Sequence, residues 1–164
     1  MRLDEYQWSR NPRGLHVIGA TVLLGTGAGI AFFLLMAHRT NDAKIVAHTA
    51  GVVVIADFVF TATAVLAQPL TGFALAHLVG WPVLSGWVAL SLALYVLTGL
   101  CWLPVVALQL RMRELARQAA REGAPLPAAY HALFRRWFLL GIPAFAAVLA
   151  IVWLMVAKPS LAIH

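Results

Sequence analysis

Apolar and polar positions follow one another along the chain in long blocks. Four apolar stretches, at 15–37, 45–67, 87–110 and 137–157, reach the length that a helix needs to cross a bilayer, about 20 residues. Each is expected to be helical, because lipid cannot satisfy an unpaired backbone group. The pattern predicts an all-α fold, an integral membrane four-helix bundle in which residues 1–164 form a single transmembrane domain.

The segment between the second and third stretches, residues 68–86, is largely apolar and contains no Lys or Arg, but it carries two prolines and three glycines. Its apolar part, 70–84, has about 15 residues and is short for a span. We expect a short interfacial or re-entrant helix here. A fifth span is the alternative, and it would move the N-terminus to the other side of the membrane.

Composition agrees with a membrane protein, since 62% of the residues are hydrophobic and 11% are charged. Soluble domains have roughly 45–50% and about 25%. The net charge of +6 would suit a nucleic-acid surface, but it is concentrated in the first and third loops, which hold Arg39, Lys44, Arg111, Arg113, Arg117, Arg121, Arg135 and Arg136. Positive charge collects in cytoplasmic loops. We therefore predict external termini, a cytoplasmic loop at 111–136, the lipid bilayer as a partner and no nucleic acid.

The loop at 111–136 begins with a strong helix-forming segment that is ended by Gly123 and Pro125. The third span is therefore expected to continue beyond the membrane as one helix. Its arginines are interpreted as a collar facing lipid headgroups, or as a docking site for a membrane partner.

Polar residues recur on one face of the second span and on one face of the third. Asp57 lies near the middle of the second span, where a carboxylate costs roughly 2.5–3.5 kcal/mol. At 100° per residue, the two predicted polar faces carry Asp57, Thr61 and Gln68 on the second span, and Ser91, Tyr95, Thr98, Trp102 and Gln109 on the third. We expect the two faces to meet inside the bundle, either as interhelical ties or as a proton or substrate path.

The first span separates two sets of residues onto opposite faces. Gly25 and Gly29 form a GxxxG motif, which is typical of a face that packs closely on another helix. His16, Gly27 and His38 lie on the opposite face, where a small residue would let a flat macrocycle approach. Histidine is a common axial ligand of haem iron.

Two histidine pairs are candidates for binding b-type haem. They are His16 with His77 toward the outer side, and His38 with His48 toward the inner side, where His131 also lies. His16 and His38 are about 33 Å apart along the helix and cannot bind one iron together. No tight spacing of His, Cys or acidic residues predicts another metal site.

Several kinds of chemistry lack their sequence signals. The single cysteine, Cys101, excludes an internal disulfide and a CxxC motif. No nucleophile triad, phosphate-binding loop, HExxH motif or dinucleotide fingerprint is present.

Short motifs spread along the chain form a recognisable set: Gly-Leu-His16-Val-Ile-Gly-Ala, Gly25-Thr-Gly-Ala-Gly29, Ala37-His38-Arg39, Ala56-Asp57, Gln68-Pro69-Leu-Thr-Gly72, Cys101-Trp102-Leu-Pro104, Gln109-Leu-Arg-Met-Arg113 and Leu154-Met155-Val-Ala-Lys158-Pro159. The set resembles the bacterial predicted integral membrane proteins grouped as domain of unknown function 2269. That resemblance implies a multi-pass protein of the bacterial inner membrane.

The first span is also similar, more distantly, to four-helix haem-dependent protoporphyrinogen oxidases and copper-resistance-type membrane proteins. The similarity lies in a histidine that opens the span, the glycines after it and a second histidine at its far end. The oxidase pattern has a Trp before its glycine and a Pro-Arg pair after it, and this span has neither in those positions. By analogy, this resemblance implies haem b bound through His16.

Three functions are therefore weighed. The first is a haem protein with a redox or electron-transfer role. The second is a small proton-linked carrier built around Asp57. The third is a non-catalytic accessory subunit or homo-oligomer, which the GxxxG motif and the Arg-rich loop would suit.

Overall fold

The fold is known from a computed structural model, which describes residues 3–83 and 86–159, with side chains from residue 12 onward. The helices are α1 (Leu3–Thr40), α2 (Ala43–Ala56), a π-helical segment (Asp57–Thr61), α3 (Ala62–Val79), α4 (Gly86–Glu122) and α5 (Ala128–Ala157). Four continuous helical stretches within these ranges are long and apolar enough to cross a membrane: Pro12–Thr40, Ala43–Val79, Gly86–Glu122 and Ala128–Ala157. The predicted all-α four-span architecture is confirmed.

The predicted interfacial or re-entrant helix between the second and third spans is wrong, because residues 68–79 continue the second span. The reason lies at Pro69, which has no N–H and therefore frees the carbonyl of Val65 one turn earlier. The hydroxyl of Tyr95 on α4 donates to that carbonyl. A neighbouring helix thus satisfies the group that Pro69 leaves unpaired, and the helix runs on.

The second span ends at Gly80, which adopts a left-handed conformation with φ 74°. The next amide, that of Trp81, donates to the carbonyl of Ala76 at 3.0 Å, which closes the last turn. Since the described residues contain four spans and not five, Arg13 and Lys158, which flank the first and last spans, belong to the same side of the membrane.

The side that carries Lys158 also gathers aromatic residues. The Trp81 and Trp87 rings meet edge to face at 4.9 Å, and the Lys158 ammonium lies 4.8 Å from the Trp81 ring centre. Tryptophan at this depth is typical of a membrane interface. Trp8, which precedes the first span in sequence and is expected near the same interface, lies outside the described side chains.

The opposite end of the bundle, formed by the loops at 41–42 and 123–127, is called here the Arg-rich end. α4 continues to Glu122, as predicted, and Gly123 ends it with φ 64°. The most tightly packed core lies toward this end, where the largest fully buried side chains are Leu34, Val46, Met112 and Tyr130. Packing is looser toward the middle of the bundle, where a central cavity opens.

The GxxxG motif of α1 does not pack against another helix of this chain. Gly25 has no neighbour where a Cβ would stand, and Gly29 meets only Phe33 of its own helix. The close approach between α1 and α3 is made by two other glycines instead: Gly19 faces the Gln68 amide, and Gly72 faces the His16 ring. The motif spacing did not show which face of α1 turns inward.

Candidate functional site

Asp57 stands at the first position of the π-helical segment in the second span. Its side chain is 3% exposed. The Ala62 amide donates to the Asp57 carbonyl, one residue further along than in an α-helix. Single π turns inside α-helices often mark functional positions. Asp57 and Thr61, the first and last residues of this segment, are both buried.

Both oxygens of the Asp57 carboxyl group accept hydrogen bonds from other helices. Trp102 Nε1 donates to Oδ1 at 3.2 Å. With its amide oriented to satisfy both ends, Gln109 donates from Nε2 to Oδ2 at 2.9 Å, and its oxygen accepts from Trp137 Nε1 at 3.2 Å. The network joins the second span to α4 and α5.

The network contains no cation. Among the described side chains, those of residues 12–83 and 86–159, the one ion pair is Arg121 with Glu114, on the exposed extension of α4. The Asp57 carboxyl group, which is costly to ionise in a bilayer, therefore receives hydrogen bonds from neutral donors alone.

A cavity of about 440 Å³ adjoins this network and is bounded by α1, the second span, α4 and α5. Glycines from three helices widen it: Gly27, Gly99 and Gly141. The polar and indole side chains that line it are Asp57, Thr61, Tyr95, Thr98, Trp102, Gln109 and Trp137, and the other lining residues are aliphatic side chains or Phe. The cavity is thus apolar apart from one concentrated polar wall.

Thr61 occupies the same wall. Its Oγ1 is buried beside the Asp57 carboxyl group and has no hydrogen-bond partner among the residues that the structure describes. A hydroxyl oxygen in that position can accept a hydrogen bond from the O–H of a neutral carboxyl group.

Helical periodicity in the sequence predicted most of the polar residues on this wall. Asp57, Thr61, Tyr95, Trp102 and Gln109 all line the cavity. Gln68 was predicted to lie with them. It is about 16 Å beyond Asp57 along the helix and lies in the contact between α1 and α3 instead.

Trp137 was missed, because a tryptophan at the start of a span is usually an interface residue. The available signal was the repeat of Phe134, Trp137 and Gly141 at helical spacing, which puts Trp137 on the inward face of α5.

His16 lies in the contact between α1 and α3 and is 9% exposed. Its Nδ1 is 2.8 Å from Thr71 Oγ1, and that hydroxyl also lies 2.9 Å from Ala67 O of its own helix. In the tautomer with the proton on Nδ1, His16 donates to the hydroxyl oxygen, the hydroxyl donates to Ala67 O, and Nε2 carries the lone pair. Gln68 Nε2 donates to the His16 carbonyl at 3.0 Å.

The other candidate histidines are placed differently. His77 and His48 are exposed, on α3 and α2. His38 stacks on Phe134 of α5 with 3.6 Å between ring centres, and its Nδ1 lies 3.4 Å from the Tyr130 hydroxyl. In the part of the chain that the structure describes, neither His16 with His77 nor His38 with His48 is in hydrogen-bond or ring contact, and no group of three or more His, Cys, Asp or Glu could hold a metal ion.

These features define a small multi-pass helical membrane protein with a polar network and a cavity between its spans. The sequence matches the family described as predicted integral membrane protein (DUF2269) over residues 13–159, and the chain belongs to that family. No curated protein and no solved structure matches the chain.

Proposed function

We propose that the protein is a small proton-linked carrier whose central cavity takes lipophilic cations, with Asp57 binding the cation and the proton in turn. The observation that carries this proposal is a buried carboxyl group without a cationic partner on the wall of an otherwise apolar cavity. A volume of about 440 Å³ falls among pockets for drug-sized ligands, roughly 300–1,000 Å³.

The charge balance favours a cation as the substrate. When the cavity is empty, a proton keeps Asp57 neutral, and Thr61 Oγ1 is available to accept the hydrogen bond of that proton. When a cation enters, it neutralises the carboxylate and the proton leaves. The Trp102 and Trp137 rings line the same space and add a favourable surface for positive charge.

The test compares the binding of two ions of the same shape and opposite charge to the purified protein in neutral detergent. Tetraphenylphosphonium is the cation and tetraphenylborate is the anion. The proposal predicts saturable binding of one cation per cavity, measured by calorimetry, and binding of the anion at least tenfold weaker. Equal binding of both ions, or of neither, contradicts it.

A second candidate function, binding of b-type haem through His16, rests on a different contact. In the tautomer with the proton on His16 Nδ1, the Thr71 hydroxyl accepts from that nitrogen and orients Nε2 as the ligand atom, as the outer partner of a metal-binding histidine does. His16 would bind the iron, and the bound haem would supply one-electron transfer.

Haemin titration of the purified protein tests this second function. We expect a Soret band in the wild-type protein, its loss in His16→Ala, and its retention in His48→Ala, which changes an exposed histidine on α2. A wild-type protein that gives no Soret band, or a His16→Ala variant that keeps it, excludes the assignment.

A further inference from the structure

A second groove lies on the outer face of the bundle, between α4 and α5, and its two walls follow helical spacing. Its residues are Pro104, Ala107, Leu108 and Arg111 on α4 and Arg136, Leu139 and Leu140 on α5. On each helix the spacing of three and four residues makes one continuous stripe. Each stripe is apolar along its length and has a single arginine at one end.

The two arginines lie at the same end because α4 and α5 are antiparallel. Arg111 follows the apolar part of its stripe in sequence, whereas Arg136 precedes the apolar part of its own. Both therefore stand at the Arg-rich end, where α4 leaves the apolar region and α5 enters it. The groove thus has an apolar floor and a pair of guanidinium groups at its mouth.

Neither arginine is neutralised by the protein. Arg111 and Arg136 are both exposed, and neither has an acidic partner among the residues that the structure describes. Glu114, the acidic residue nearest to Arg111 in sequence, pairs with Arg121 at 3.3 Å. Guanidinium groups favour phosphate because their planar N–H donors match its oxygens.

We propose that this groove binds one anionic phospholipid, with its phosphate between Arg111 and Arg136 and an acyl chain along the apolar stripes. A lipid suits the groove better than a free phosphate does, because the apolar floor leads directly away from the charged mouth. Basic pockets between spans on the cytoplasmic side bind anionic lipid headgroups in this way. The site is separate from the central cavity, with no lining residue in common.

The test is native mass spectrometry of the purified full-length protein incubated with phosphatidylglycerol or phosphatidylcholine. The wild-type protein is expected to retain one phosphatidylglycerol, with at least a tenfold preference over phosphatidylcholine. The double variant Arg111→Gln and Arg136→Gln should lose that preference. The matched control, Arg117→Gln with Arg135→Gln, removes the same charge from exposed positions that do not line the groove and should keep the preference.

A further variant leaves both arginines in place and fills the groove. Leu139 is 60% exposed, so Leu139→Trp is expected to fold normally and to lose the bound lipid at unchanged net charge. An excess of inorganic phosphate should not displace the lipid. Equal loss in the matched control, equal retention of the two lipids, displacement by phosphate, or retention in both groove variants would each overturn the proposal.

Discussion

Asp57→Asn is expected to weaken tetraphenylphosphonium binding about 30-fold or more, which corresponds to a loss of about 2 kcal/mol, the lower range for truncating a buried charge pair. The substitution removes the only acidic group on the cavity wall while preserving its shape. The new amide keeps an oxygen for Trp102. Its N–H group faces the Gln109 amide, and rotation of that amide to accept from it takes the acceptor away from Trp137 Nε1. Calorimetric titration of the purified variant measures the change.

Two further variants distinguish the effect of the charge at Asp57 from the effect of the protein's net charge. Glu114→Gln removes the same charge from an exposed ion pair on the extension of α4 and should bind the cation as the wild type does. Asp57→Glu keeps the acidic group and should retain binding in part. Unchanged affinity in Asp57→Asn, or an equal loss in Glu114→Gln, would remove Asp57 from the account.

Gln109→Ala is expected to destabilise the bundle by about 1–3 kcal/mol, because it leaves two buried polar groups without partners. Those groups are Asp57 Oδ2 and Trp137 Nε1, which the Gln109 amide joins. Reversible unfolding in mixed detergent micelles, followed by the helical circular dichroism signal, gives the free energy of unfolding.

The matched control is Gln118→Ala on the same helix. Gln118 is exposed and bonds only to Glu122 at the surface, at 3.0 Å, so its loss should cost less than about 0.5 kcal/mol. If the two variants lose the same stability, the Gln109 amide does not join the three helices as described.

Helical periodicity could predict which side chains of the second and third spans lie on one wall. A polar residue in lipid has few favourable places, so Asp57, Tyr95 and Trp102 had to turn toward the interior once their spans were identified. The prediction needed only the 100° rotation per residue and the cost of exposing polar groups to hydrocarbon.

Features that depend on a partner from another helix could not be predicted in the same way. Pro69 and Gly72 indicate a break when the second span is considered alone, yet the Tyr95 hydroxyl satisfies the freed carbonyl and the helix continues. Likewise, the spacing of α5 turns Trp137 inward, but the bond between Trp137 and Gln109 depends on how α5 is placed along α4, which the sequence of α5 does not fix.

The proton released when tetraphenylphosphonium binds, measured with a pH electrode in weakly buffered detergent solution, tests the central claim most directly. Exchange of a proton for a cation at Asp57 predicts that the wild-type protein releases up to one proton per cation, that Asp57→Asn releases none, and that cation affinity falls as the pH is lowered. Cation binding by the wild type with no proton release, and with the same affinity at every pH, would contradict the account.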